Sequence, residues 1–220
     1  MEFIISEEIR KAAPALRAMV IEADVTNHPT DNRLWDILHH LSEHVRENYA
    51  MDQVNKRPAI EATRATYKAC GKDPNRYRPS AEALMRRMVK GMELYRTLSV
   101  IDLINVLSVE TGHSIGGFDA DSIDGDVLTL GIGREGEPYE AIGRGMLNIA
   151  GLPVWRDATG GIGTPTSDNE RTKLTSGTSR LLMIVNMYGT EEDESCIRSR
   201  AHELLTEYAD ATNIKFTLVE

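Results

Sequence analysis

Residues 98–126 constrain the fold most, because in them an apolar helical pattern changes abruptly into a glycine-rich segment. The large aliphatic residues of the first half recur at steps of three and four, the spacing of a helix with one buried face. They are Val100, Ile101, Ile104, Leu107 and Val109. Gly112 stands just past them, where a glycine commonly ends a helix. The pattern therefore predicts a core-packed helix that ends at Gly112.

Gly116 and Gly117 come next, and they predict the wall of a pocket. Paired glycines reach backbone conformations closed to other residues and let a second segment or a ligand come close. We therefore expect a loop here that faces a ligand. A simpler interpretation is a tight turn that Asp119 and Asp121 cap.

A second polar stretch, residues 164–175, follows a glycine-rich turn and precedes a predicted strand. It contains hydroxyls, two carboxylates, an amide and two cations, which suit a polar ligand held by several directed hydrogen bonds. A solvent-exposed loop is polar as well. Both interpretations stay open on the residues alone.

Residues 100–123 resemble an element of the B3/B4 editing domain in the phenylalanyl-tRNA synthetase beta subunit. The positions that match in order and spacing are Ile101, Asp102, Asn105, Gly112, Phe118, Asp119, Asp121 and Ile123. Two positions depart from the pattern, since Ser114 replaces a proline and Gly116 stands where the synthetase carries its editing histidine. Free-standing proteins of the family look more similar, with motifs like residues 78–84, 115–119 and 165–172 of this chain.

By this resemblance, the protein binds the aminoacyl end of a transfer RNA and hydrolyses a mischarged aminoacyl ester, which would make it an editing hydrolase. Its pocket would lie between the segment of Gly116 and Gly117 and the 167–172 loop. Backbone amides of the glycine-rich loop would stabilise the oxyanion. The expected substrate-binding residues are Asn105, His113, Gly116, Gly117, Asp119, Thr166, Ser167, Asp168, Glu170, Arg171 and Thr172. No catalytic residue is assigned; His113 could replace the missing histidine, but a solvent-exposed turn residue is the simpler expectation.

The order of predicted hairpins and crossovers indicates an α+β fold with mixed β-sheets flanked by helices. We expect a B3/B4-like domain over residues 71–220 and an N-terminal αβ extension over residues 1–70. A hydrophobic content of 41% and a charged content of 27% are ordinary for a soluble protein. Without an apolar run long enough for a bilayer, we expect a cytoplasmic protein with no membrane partner. No cofactor or metal is expected, although His40 and His44 lie one helical turn apart.

The formal net charge of −9 argues against indiscriminate nucleic-acid binding and against DNA as a partner. Residues 72–96 are nevertheless basic and form the candidate RNA-binding surface, with Arg76, Arg78, Arg86, Arg87 and Lys90. The same pattern fits a solvated helix face. Two other functions remain open: a non-catalytic RNA-binding module, and a protein or enzyme that binds a small molecule such as a free amino acid.

Local patterns predict the remaining elements. We expect strands at residues 3–5 and 16–25, both in the main sheet, and a hairpin formed by residues 127–132 and 139–142. Residues 181–186 form a continuous apolar run, which is typical of a strand at the centre of a sheet. Helices are predicted at residues 31–49, 59–70 and 191–209, with a further helix that Ser80 caps. Residues 214–219 predict a closing strand.

Overall fold

The computed structural model describes residues 1–189 and 194–220. This part of the chain contains six α-helices: α1 (Glu7–Ala12), α2 (Asn32–Asn48), α3 (Pro58–Ala69), α4 (Ser80–Val89), α5 (Ser99–Thr111) and α6 (Glu194–Tyr208). It contains ten strands: β1 (Glu2–Ile5), β2 (Arg17–Asp24), β3 (Ile115–Asp119), β4 (Val127–Ile132), β5 (Glu140–Ala141), β6 (Gly145–Met146), β7 (Pro153–Arg156), β8 (Gly161–Gly163), β9 (Arg180–Met187) and β10 (Thr212–Val219).

The central sheet has the strand order β10-β2-β9-β3, and every neighbouring pair in it is antiparallel. The predicted apolar run lies in β9, between β2 and β3. Side chains alternate across a strand, so Met183 and Val185 pack on the helical side while Leu182 and Ile184 pack on the opposite side. Because both faces of β9 are covered, a continuous apolar sequence is required there.

A second sheet covers the face of the central sheet that lies away from the helices. Its order is β1-β4-β7-β8, with a parallel β1–β4 pair and antiparallel pairs elsewhere. The predicted α+β class with mixed sheets is therefore confirmed. The prediction that both N-terminal strands share the main sheet is wrong. Between β1 and β2, α1 carries the chain from one sheet to the other, and its Ile9 is buried in the core between them.

Helix α5 ends at Gly112, which has a left-handed φ of 83°, so the predicted stop is confirmed. The prediction of a single buried face is wrong, because α5 packs against α2, α4 and α6 as well as β3. Even its acidic Asp102 is fully buried. That carboxylate accepts hydrogen bonds from the hydroxyls of Thr30 at 2.5 Å and Thr97 at 2.8 Å.

The predicted hairpin of residues 127–132 and 139–142 is also wrong. Strand β4 pairs with β7, and β5 pairs with β6 in a small excursion between them. The chain after β4 packs against the segment before β7, which favours the β4–β7 pair over the predicted hairpin. There the N–H of Gly133 donates to the Leu152 carbonyl at 2.7 Å. A Cβ at Gly133 would lie 2.0 Å from the carbonyl oxygen of Ile149, so only glycine permits this junction.

The last predicted helix is observed as α6; residues 191–193 of its predicted start lie outside the described residues. Within the described ranges, no helix combines the length and the apolar character needed to cross a bilayer. The division of the chain into an extension of residues 1–70 and a domain of residues 71–220 remains a prediction. In the fold, β2 from the first part pairs directly with β9 and β10 from the second.

Candidate functional site

A cavity of about 340 Å³ lies where α4, α5, β3 and the 164–168 loop meet. One part of its wall is aliphatic and is formed by Leu84, Ile101, Ile104, Ile115, Ile142 and Leu174. The rest is formed by the backbone of Gly117 and by polar residues, namely Ser80, Asn105, Ser108, Arg144, Thr166, Ser167, Asp168 and Lys173. An apolar wall with a few convergent polar groups is the usual character of a small-ligand site.

The glycine segment and the polar 164–175 stretch meet at this cavity. The backbone N–H of Gly117 donates to Asp168 Oδ2 at 3.1 Å. The glycines do not form the predicted loop or turn, because Gly116 and Gly117 lie in β3 and pair with Ile184 and Met183. They allow close packing instead: a Cβ at Gly117 would lie 2.5 Å from Ile104 Cδ1, so a larger residue there would displace that side chain.

Asp168 is the one carboxylate among the described residues that line the cavity. Its side chain is partly exposed but has protein on most sides, and this desolvation raises the pKa of Asp168 to about 7, although the Gly117 N–H partly opposes the rise. Within the described chain, Oδ1 of Asp168 makes no hydrogen bond. Arg144 and Lys173 are the cations that line the same cavity. A carboxylate that titrates near neutral pH is suited to proton transfer.

The raised pKa of Asp168 predicts a pH dependence of stability. The shift from 3.8 to about 7 means that the folded state binds more protons in this range than the unfolded chain. The contribution of Asp168 to stability is therefore complete below the unfolded-state pKa of 3.8. It is lost as the pH rises through the folded-state pKa of about 7. Relative to Asp168→Asn, the wild-type free energy of unfolding should fall by about 2 kcal/mol between about pH 5 and pH 8. This is half of the roughly 4 kcal/mol for the full shift, because part of the Asp168 side chain remains exposed to solvent.

Urea denaturation of both proteins across this pH range measures the effect. The asparagine keeps an oxygen that accepts from the Gly117 N–H but has no charge to desolvate. Parallel pH profiles for wild type and Asp168→Asn would show that Asp168 has an ordinary pKa.

Two tyrosine side chains hold the 164–168 loop, which forms one wall of the cavity. Tyr139 donates its hydroxyl to the Ser167 carbonyl at 2.8 Å, and the hydroxyls of Tyr67 and Thr166 are 2.9 Å apart. Burial raises the pKa of Tyr67 and of Tyr139 far above that of free tyrosine, so both hydroxyls keep their protons. This anchoring gives the cavity a preformed polar side.

Ser80 contacts the same wall through its backbone, whose N–H donates to the Pro165 carbonyl at 2.7 Å. The prediction that Ser80 caps α4 is wrong, because Pro79 occupies the N-cap position and Ser80 is the first helical residue. Ser80 thus lines the cavity and joins α4 to the 164–168 loop.

Several predicted site residues lie outside the residues that line the cavity. Asp119 accepts from the backbone N–H of Asp121 and from the Thr178 hydroxyl at 2.8 Å. Glu170 forms an ion pair with Lys173. Arg171 pairs with the buried Asp157 at 2.8 Å, and Thr172 is fully buried.

His113 and Gly116 also lie away from the cavity lining. His113 is 1% exposed, so the prediction of a solvent-exposed turn residue is wrong. The chain turns inward after α5, and the Ser108 hydroxyl donates to the His113 carbonyl at 2.6 Å. A side chain at position 116 would point at the Phe118 ring, which packs in the core between the sheets. Of the predicted set, the cavity is lined by Asn105, Gly117, Thr166, Ser167 and Asp168.

No sequence pattern predicted Arg144, Lys173 or the aliphatic wall as parts of the site. Arg144 lies between Gly143 and Gly145, which both have left-handed φ values, 67° and 68°. A cation flanked by two glycines is a signal of a tight turn that presents its side chain. Within the described residues, the Arg144 side chain makes no hydrogen bond or ion pair, and it is therefore available to a ligand.

A basic groove of about 460 Å³ runs along α4 beside the cavity. It is lined by Met51, Arg78, Ala83, Leu84, Arg86, Arg87, Lys90 and Met92, and Leu84 lines the cavity as well. The predicted Arg76 is not part of this lining; its guanidinium lies 5.6 Å from the centre of the Tyr77 ring. The groove and the cavity are therefore adjacent faces of α4.

Arg86 is held in the groove by Glu82, a fully buried carboxylate one helical turn earlier. Glu82 accepts from Arg86 at 2.7 Å and from Arg64 at 2.8 Å. Two guanidinium groups thus share one carboxylate, which leaves an excess positive charge. The side chains of Arg78 and Lys90 form no ion pair in the described chain. This part of an acidic protein therefore favours anions.

Metal-binding clusters are not found among the described residues, where no three His, Cys, Asp or Glu side chains gather suitably. His40 and His44 are exposed on α2, and Glu43 lies 3.6 Å from His40. The cysteines Cys70 and Cys196 are not joined by a disulfide.

Comparison with known proteins identifies the fold family. The chain is similar to an N-terminal fragment of the phenylalanyl-tRNA synthetase beta subunit from Pyrococcus horikoshii, with 12% identity and a TM-score of 0.48. The similarity covers 98% of this chain and 50% of that fragment, so the chain spans about half its length. No curated protein matches the sequence significantly. The family model described as B3/4 domain matches residues 62–213, more than half of the sequence, and the chain therefore belongs to the B3/4 domain family.

Proposed function

We propose that this protein binds the aminoacyl end of a transfer RNA in the cytoplasm and hydrolyses the ester of a mischarged amino acid. The amino acid occupies the cavity, and the RNA backbone lies in the basic groove. One observation carries the proposal: Leu84 lines both spaces, so a single ligand with an apolar end group and phosphates fits along α4. Phosphate contacts in such a groove provide affinity, and the cavity provides selectivity.

Asp168 acts as the general base in this proposal. Its carboxylate takes a proton from a water molecule, whose oxygen attacks the carbonyl carbon of the ester. The bond from this carbon to the ribose oxygen breaks, and the proton passes from Asp168 to that oxygen. The products are a free amino acid and an uncharged RNA end. The near-neutral pKa of Asp168 supports this role, since a base works best when its pKa is near the operating pH.

Arg144 stabilises the oxyanion that forms during attack. A guanidinium at the edge of the cavity attracts the negative charge that develops on the ester oxygen. The Gly117 N–H cannot take this role as expected from the sequence, because it donates to Asp168. A histidine at position 116 is not required for this mechanism, because Asp168 takes the proton. A Cβ at that position would lie 2.6 Å from the Phe118 ring and 3.3 Å from Asp168 Oδ1.

The direct test uses transfer RNA charged with tyrosine, with other noncognate amino acids or with phenylalanine. The expected result is release of one mischarged amino acid by the purified protein. A double variant, Arg78→Gln with Lys90→Gln, should weaken RNA binding and flatten its salt dependence, because two phosphate contacts are lost. Binding without any cleavage would instead indicate a non-catalytic RNA-binding module. If charged RNA is neither bound nor cleaved, the proposal is wrong.

A free amino acid is the second candidate ligand, and the unpaired Arg144 side chain favours it. Arg144 would bind a free carboxylate, which an aminoacyl ester lacks, while Asp168 would bind the ammonium group. In that case amino acids alone should raise the melting temperature, since a ligand at 100 times its Kd adds about 2.7 kcal/mol. The Arg144→Gln variant should remove this shift, and RNA should have no effect.

A further inference from the structure

Tyr95 is the aromatic residue among the exposed large apolar side chains of the described chain, with 75% of its surface in solvent. It lies in the irregular segment between α4 and α5. A tyrosine ring ordinarily gains stability by burying its faces, so such exposure contributes little to this fold. Its one described ring contact is with the guanidinium of Arg87, which lies 4.6 Å from the ring centre.

The Tyr95 ring lies beside the basic groove, because its contact residue Arg87 lines that groove. A hydrogen bond holds the Arg87 side chain in position. Arg87 Nε donates to the carbonyl of Glu93 at 2.7 Å. The groove leads away from the cavity along α4. Arg87 lies about one helical turn, or roughly 5 Å, beyond Leu84 at the cavity, and Lys90 lies about one turn beyond Arg87. Tyr95 therefore stands beside the part of the groove that is remote from the cavity.

We infer that Tyr95, with Arg87 beside it, is a stacking platform for an unpaired base of the RNA whose phosphates occupy the basic groove. The inference rests on the proposed function and narrows the contact in the groove to an unpaired stretch of that RNA. Base stacking on an exposed aromatic ring combined with cations along the backbone is the general mode of single-strand binding. Bases inside a duplex have no free face to stack, so the interior of duplex RNA cannot use this platform.

A free nucleotide fits the same chemistry less well. The groove extends past two turns of α4 and carries four cations, Arg78, Arg86, Arg87 and Lys90, which suits several consecutive phosphates. The whole chain has a formal net charge of −9 even with these cations included, so the surface outside the groove is acidic and repels RNA. Competition by ATP therefore tests the alternative directly.

The experiment is fluorescence anisotropy with a labelled single-stranded RNA of about twelve nucleotides and with its blunt duplex. Tyr95→Ala should weaken single-strand binding about tenfold, while Tyr95→Phe should bind like wild type because the ring remains. The slope of affinity against salt should not change with either variant, since no phosphate contact is lost. Met146→Ala is the matched control, because Met146 is 72% exposed and does not line the groove.

Duplex RNA should bind more weakly than the single strand, and Tyr95→Ala should not alter it. If wild type binds single-stranded RNA but Tyr95→Ala binds it equally well, the stacking inference is wrong while the proposed function stands. Full displacement of the RNA by millimolar ATP would also overturn the inference, in favour of a nucleotide site. If wild type binds no RNA at all, the proposed function is wrong and the inference falls with it.

Discussion

Replacing Asp168 with asparagine is expected to slow ester hydrolysis at least about 100-fold, the usual size of a general-base contribution. RNA affinity should be unchanged, because Asp168 lies in the cavity and not in the basic groove. Single-turnover rates measured from pH 5 to pH 9 give the sharpest readout. The wild-type rate should rise with pH and level off above about 7, as the carboxyl loses its proton. The residual rate of the variant should lack this step.

Asp119→Asn is the matched control for this experiment. Asp119 was predicted from the sequence as a site residue, but its carboxylate is engaged by Thr178 and the Asp121 backbone outside the cavity. Its replacement should leave the hydrolysis rate nearly unchanged. A fully active Asp168→Asn protein would eliminate Asp168 as the base and would leave water activation to another group.

The largest expected effect on stability comes from Glu82→Ala. This change leaves the guanidinium of Arg64, which is 9% exposed, without its carboxylate. Removing one partner of a buried ion pair costs about 3–5 kcal/mol, because the remaining charge is desolvated and uncompensated. Urea denaturation should show a loss of that size in the free energy of unfolding, with an unchanged m value.

Two further variants separate the buried pair from ordinary surface charge. Asp52→Ala removes the acid of an exposed ion pair with Lys56 and should change stability by less than about 0.5 kcal/mol. Adding Arg64→Met to Glu82→Ala should recover part of the loss, since neither charge then remains buried. A loss below about 1 kcal/mol for Glu82→Ala alone would mean that water reaches Arg64.

The features predictable from sequence were those that local chemistry determines. Helix α5 and its end at Gly112 follow from apolar spacing and one left-handed glycine. The apolar run in β9 follows from burial on both faces. The match of residues 62–213 to the B3/4 domain confirms the resemblance found in residues 100–123.

The features that escaped prediction depend on contacts between distant segments. The pairing of β4 with β7 requires Gly133 to meet the backbone near Leu152, which no local pattern encodes. The sequence offered Asp119, Asp168 and Glu170 as equivalent carboxylates. Only the fold distinguishes them. Asp119 accepts from the Thr178 hydroxyl and Glu170 pairs with Lys173, whereas Asp168 faces the cavity and accepts from the Gly117 N–H.

The buried Glu82 also fixes the orientation of α4. Rotation of this helix about its axis would separate Glu82 from Arg64 on α3, so the ion pair holds the cavity side and the groove side of α4 in place. A molecule that occupies both sides must match the spacing between them. For the proposed aminoacyl substrate, we therefore expect the length from the terminal group to the first phosphate to be a criterion of selection that is independent of the identity of the amino acid.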